Sequence, residues 1–141
     1  KLTAFQAAAE AGGVAGEVTV ERAMFAIEGG QAAGTRLLQH GVTGVICASD
    51  PLALGVIRAI RRARLDVPRD VSVVGFDDSA FMNCTDPPLT TVRQPIDAMG
   101  RAVVTLLANQ IDGAAASDEE LLFEPELVVR SSTGPAPRTG S

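Results

Sequence analysis

Between Val71 and Asp78 the chain reads Val-Ser-Val-Val-Gly-Phe-Asp-Asp, and no other stretch restricts the fold as much. Its β-branched, nearly continuous apolar half suits a short strand buried on both faces of a parallel sheet. Two carboxylates end it abruptly. In a doubly wound sheet the ligand crevice lies just past the carboxyl ends of the strands, so Asp77 falls where a ligand would sit. A stiff Pro87-Pro88 corner follows, and Thr90-Thr91-Val92 returns as a second β-branched segment that stops at Pro95.

Upstream, Gly44 to Ala48 reads as a buried strand, and a helix follows at once. Asp50 is a good N-cap, and Pro51 takes the first helical position, where its missing N–H costs nothing. Ala53, Val56, Ile57 and Ile60 keep the i, i+3, i+4, i+7 spacing of an amphipathic helix. The second strand begins 27 residues after the first (from 44 to 71), which makes strand, helix and strand a βαβ unit.

Further helices are expected over Leu2–Ala11, stopped by Gly12-Gly13, and over Gly30–His40. A fourth starts after Pro95, carries Ile96, Met99, Val103, Leu106, Leu107 and Ile111, and stops at Asp112-Gly113. Glu17 to Val20 is a candidate strand, while Glu21 to Ile27 declares no period. Residues 113–117 form a small-residue loop. Leu121–Phe123 and Leu127–Arg130 read as extended segments around Pro125, and residues 134–141 as a flexible tail with nothing to bury. The class is α/β, with a parallel, Rossmann-like sheet.

At 141 residues and 46% hydrophobic content, with a net charge of −5, the chain is long and apolar enough for one ordered core. No apolar run reaches the ~20 residues of a membrane span, and no secretion signal opens the chain. Lys1 rather than Met comes first, which fits a segment of a longer protein or a processed one. Twelve basic residues against seventeen acidic ones do not make a DNA-binding surface. Arg58, Arg61, Arg62 and Arg64 read as helix-dipole compensation on a solvated face. Cys47 reads as a small buried hydrophobe, and with Cys84 it makes neither a disulfide framework nor a zinc site, so a reducing cytoplasm is the default.

Phe25, Ser49, Asp50 and Asp77 form a candidate rim at the strand ends. Hydroxylated ligands need carboxylate acceptors and an aromatic face for the apolar side of a ring, and Asp77 supplies the first. A turn or cap role for Asp77 stands beside that reading, a purely structural cap beside it for Asp50, and an ordinary core position for Phe25. Enzyme chemistry finds little support. Ser49 lacks the flanking glycines of a nucleophile elbow, and His40 reads as a helix C-terminal residue. A Mg²⁺ site at Asp50, Asp77 and Asp78 lacks its lysine, and no glycine-rich phosphate loop points to a cofactor.

Five pieces in order, KLTAF, CASDPLALG, VSVVGFDD, PPLTTVRQP and LVVRSST, resemble the effector-binding region of LacI/GalR-type bacterial transcriptional regulators over about residues 1 to 133. The resemblance implies the C-terminal lobe of a type I periplasmic-binding-protein-like fold. It assigns residues 1–94 and 121–133 to that lobe, and 95–120 to a helix that packs on another lobe. Stripped of that lobe, the helix is expected to repack on its own or to meet a second copy of the chain. The resemblance places Asp77, Ser49, Phe25, Gln94 and Lys1 at the effector, a sugar or nucleoside-like metabolite. Ser49 stands where relatives usually carry Asn, and Lys1 where they carry Arg; Lys offers no planar fork. It also implies a homodimer through Leu54, Cys84 and Thr85, and DNA contact only through a helix-turn-helix absent from this sequence. A lobe of an extracytoplasmic sugar-binding transport protein is the alternative, sharing the fold but lacking the PPLTTV and LVVRSST resemblance.

Overall fold

The computed structural model describes residues 1–14, 18–113 and 120–137. Helices α1 (Leu2–Ala11), α2 (Ile27–Leu38), α3 (Asp50–Arg62) and α4 (Ile96–Ile111) and strands β1 (Gly44–Ile46), β2 (Ser72–Val74), β3 (Thr91–Arg93) and β4 (Glu126–Val128) follow in the order α1, α2, β1, α3, β2, β3, α4, β4. β1 and β2 pair in parallel, Val45 opposite Val73, and β3 and β4 pair antiparallel, Val92 opposite Leu127. Parallel bridges Val74–Thr90 and Asp77–Arg93 link β2 to β3.

The core lies between this sheet and the α2–α3 pair. Leu37, Val45, Cys47, Val56, Ile57, Ile60, Val73, Met82 and Leu89 fill it, with Ile60, Val73 and Leu89 fully enclosed. The α3 spacing read from the sequence is the face that packs there. Burial first, and the Asp50 carboxylate second, push the Cys47 thiol up to about 12, so it stays protonated at neutral pH.

α2 begins three residues before the expected Gly30, because its glycines serve packing rather than chain entry. A Cβ on Gly30 would strike the Leu52 backbone, and one on Gly55 would strike the carbonyl of Ile27. Gly34 would meet the Ala59 methyl at 3.1 Å. The two helices therefore cross at backbone contact, which only glycine permits.

Four expectations are corrected at the strands. β1 is buried on one face only, since Ile46 and Gly44 are exposed while Val45 and Cys47 are enclosed. A cavity of about 1030 Å³ separates α1 from that open face. In β2, Val73 is buried while Ser72 and Val74 are half-buried. No strand forms over residues 18–20, and Glu17 lies outside the described residues. Of the two late segments, only Glu126–Val128 becomes a strand.

α4 runs from the expected start to the expected stop, where Gly113 takes a φ of +90°. None of its side chains is buried, and Ile96, Val103, Val104 and Leu107 are each more than half exposed. It does not repack on this lobe. Of the expected tail, Gly134 is held by hydrogen bonds with Ser72 Oγ, and residues 138–141 lie outside the described residues. The small-residue loop falls almost wholly on residues 114–119, also outside them. Among the described residues, no helix is long and apolar enough to cross a membrane.

Candidate functional site

The carboxyl ends of β1 and β2 meet where Asp50 N donates to Phe76 O (2.8 Å) and Cys47 N to Val74 O (2.8 Å). The α3 cap sits here, shifted by one residue from the sequence reading. Ser49 is the N-cap, its Oγ accepting from Leu52 N at 3.4 Å, and it is fully buried. Extended backbone at Ser49 explains the shift, because an N-cap needs non-helical dihedrals and Asp50 already belongs to the helix. This placement leaves the Ser49 hydroxyl engaged inside the protein rather than open at a rim.

Asp50, also fully buried, turns its carboxylate across the sheet. It accepts from Thr91 Oγ1 (2.6 Å) and from Ser79 N (2.6 Å). Gly75 makes room for it, since a Cβ there would collide with Asp50 Oδ1. Asp50 thus ties α3, the β2 tip and β3 together.

Asp77 and Asp78 follow Phe76 with φ of +113° and +52°, a left-handed excursion that costs an L-residue energy and persists only when surroundings enforce it. Asp77 N donates to Val92 O (2.9 Å), and its half-buried carboxylate accepts from Gln94 Nε2 at 2.6 Å. Both of its partners lie at the end of β3, just before Pro95 caps α4.

Asp78 behaves differently. Its side chain is only 8% exposed and bridges Arg130 Nη1 through Oδ1 and Arg93 Nε through Oδ2, both at 2.7 Å. Arg93 continues to Glu126 at 3.1 Å. The Arg130 hydrogen bond, opposed by burial and reinforced by Arg93, holds the Asp78 carboxyl below the usual carboxylate range. Asp78 in turn raises Arg93 above its ordinary value.

Lys1 Nζ donates to Ala48 O at 3.0 Å and stands 3.5 Å over the Phe76 ring, a cation–π contact at the β1 end. Lys1, Phe76 and Phe25 line the cavity beneath α1, with Phe25 68% exposed rather than in the core. Asp77 and Gln94, bonded to each other, do not line it, and neither does Ser49. The structure therefore separates Asp77 and Gln94, bonded to each other, from Lys1 and Phe25, which line one cavity together with Phe76. Elsewhere, Leu54 and Thr85 share a cavity of about 460 Å³ with Arg58, Arg61, Arg62 and Asp86, Thr85 following the exposed Cys84 in the chain. Arg61 bonds Asp86 there, so the arginine cluster has a partner besides the helix dipole.

Phe76 and the Asp78–Arg93–Arg130 network escaped the reading of the sequence. Phe76 could have been found from its place beside Asp77; the arginines lie 15 and 52 residues beyond Asp78 (from 78 to 93 and to 130), with no local pattern linking them.

A helix-crossed parallel sheet with acids at its strand tips is the fold of the periplasmic binding protein-like domain, whose family model matches residues 2–133. The chain belongs to that family, and the relatives it matches are named as transcriptional regulators, several of the LacI type. It is 56% identical over 118 residues to the HTH-type transcriptional regulator MalR of Streptomyces coelicolor, covering 84% of this chain and 34% of that protein. Among solved structures, a LacI family regulator from Enterococcus faecium with bound ribose superposes with a TM-score of 0.84 at 29% identity, covering 94% of this chain and 49% of that one. The regulator CelR in complex with cellobiose gives 0.82 at 34% identity, covering 93% and 41%. The chain spans about a third of the length of the curated relatives it matches. These relatives are named as transcriptional regulators, which does not favour the transport-protein alternative.

Proposed function

We propose that this chain is the effector-binding lobe of a LacI-type transcriptional regulator, and that Asp77 grips a hydroxyl-rich metabolite, a sugar before a nucleoside. The observation that carries this reading is the Asp77 carboxylate, half-open at the β2 tip and bonded to a neutral donor, Gln94, instead of neutralised by a cation. Such a carboxylate can accept from a pair of sugar hydroxyls. The sugars bound by the Enterococcus faecium regulator and by CelR give the ligand class its support. Lys1 and Phe25, with Phe76, offer a cation and aromatic faces on the neighbouring cavity.

The ligand acts by favouring one arrangement of two lobes over another. In this reading the exposed apolar side of α4 faces the second lobe, DNA is contacted by a helix-turn-helix outside residues 1–141, and the setting is the cytoplasm. Two copies pair through Leu54, Cys84 and Thr85, two of which already share one surface cavity. No metal or organic cofactor takes part.

A thermal-shift screen of the full-length protein against ribose, lactose, cellobiose, maltose and cytidine tests the reading. At least one sugar is expected to stabilise it. Stabilisation by cytidine alone would move the ligand to the nucleosides, and no response from any member would remove the sugar reading.

A further inference from the structure

Asp77 reaches a ligand only from an unfavourable backbone conformation, so something must hold it there. The neighbouring Asp78 also has positive φ, and its own amide finds only a long 3.4 Å bond, to Thr91 Oγ1. Its carboxylate, by contrast, is enclosed and doubly charge-paired, one oxygen to each of two arginines. Those arginines sit on different segments: Arg93 ends β3, which leads into α4, and Arg130 follows β4, which comes after α4. Arg130 also donates to Leu89 O at 2.8 Å, and Arg93 also pairs with Glu126 of β4. One buried carboxylate therefore fastens the tip of β2 to both strands that carry the chain to and from α4.

We propose that Asp78 is the positioning residue of this site: its clamp on Arg93 and Arg130 holds Asp77 in the left-handed conformation that presents its carboxylate, and joins that carboxylate to the two strands flanking α4. The inference rests on Asp77 being the ligand contact, and it adds how that contact is held and where its movement goes. Short, charge-assisted hydrogen bonds to a carboxylate only 8% exposed, one of them to the largely enclosed Arg130, are strong enough for this task. A ligand that pulls on Asp77 draws the Gln94 side chain with it, one residue before the α4 cap.

Residue-resolved hydrogen exchange on the full-length protein, without ligand, tests the clamp. In Asp78→Asn the amide of Asp77, bonded to Val92 O, is expected to exchange at least tenfold faster. The amide of Ser72, bonded to Thr43 O on the far side of β2, is expected to keep its rate. Equal acceleration of both amides, or of neither, would show Asp78 to be ordinary structural support and overturn the proposal. Should Asp78→Asn not fold, Arg93→Gln breaks the more exposed arm and must reproduce the same selective change at smaller size. A second arm uses whichever panel sugar stabilises the wild type: its Kd is expected to rise at least tenfold in Asp78→Asn, and an unchanged Kd contradicts the clamp. If no sugar binds, the functional reading falls, while the exchange rates still decide the clamp.

Discussion

Asp50, whose amide bonds Phe76 O, and the neighbouring Asp77 and Asp78 all stand at the β2 tip, yet each carboxylate has a different occupation. Asp50 is spent on Thr91 and Ser79 and sealed from solvent, so Asp50→Ala is expected to destabilise the fold by about 3 kcal/mol, read by denaturant unfolding. Asp78 is paired with two cations and has a lowered pKa. A lowered folded-state value adds stability that is complete above the unfolded carboxylate pKa of about 3.9 and is lost as pH falls through the folded value. Wild type is therefore expected to exceed Asp78→Asn in stability near neutral pH, with the gap closing in acid; a gap that stays constant with pH would contradict the pairing. Asp70, also lowered by its hydrogen bond to the Asp66 amide, is present in both proteins and cancels. The sequence marked Asp50 and Asp77 as rim candidates because residue type and position at a strand end are local facts, while the pairing of Asp78 was not legible there. Which of them is free depends on Thr91, Arg93 and Arg130, brought back only by the fold.

At the level of elements, the contact between α2 and α3 is set by three glycines on facing sides. Gly55→Ala forces the helices apart and is expected to cost roughly 1–3 kcal/mol, measurable by thermal unfolding. The apolar period of α3 was plain in the sequence, since Val56, Ile57 and Ile60 sit on one face whatever surrounds them. The start of α2 was not, because a glycine pair looks alike whether it opens a helix or lets another helix approach. The single buried face of β1 was hidden for a related reason: apolar side chains say what prefers burial, not whether α1 closes down upon them. α4 shows the limit most clearly, its period legible and its partner absent. Val104→Glu is expected to destabilise the full-length protein by roughly 2 kcal/mol, through loss of a packed face, and to change the 141-residue chain by less than about 0.5 kcal/mol. Equal effects in the two would remove the second lobe as the occupant.

For the molecule as a whole, the proposed metabolite grip lies at the strand tips and the proposed pairing surface at the cavity lined by Leu54 and Thr85. Leu54→Arg places a charge in the cavity already lined by Arg58, Arg61 and Arg62, and the full-length protein is expected to sediment as a monomer. The family was legible from five short motifs, and one of them, LVVRSST, turns out to hold the lobe together: Ser132 Oγ donates to Val73 O at 2.6 Å and accepts from Thr90 N at 2.8 Å. In the proposed function, ligand recognition turns first on the Asp77 carboxylate. Isothermal titration of the full-length protein with its stabilising sugar, wild type against Asp77→Ala, tests this most directly. A loss of about 3 kcal/mol, or roughly a hundredfold in Kd, with an unchanged ligand-free Tm is the expected result. Binding to Asp77→Ala within twofold of wild type would contradict it.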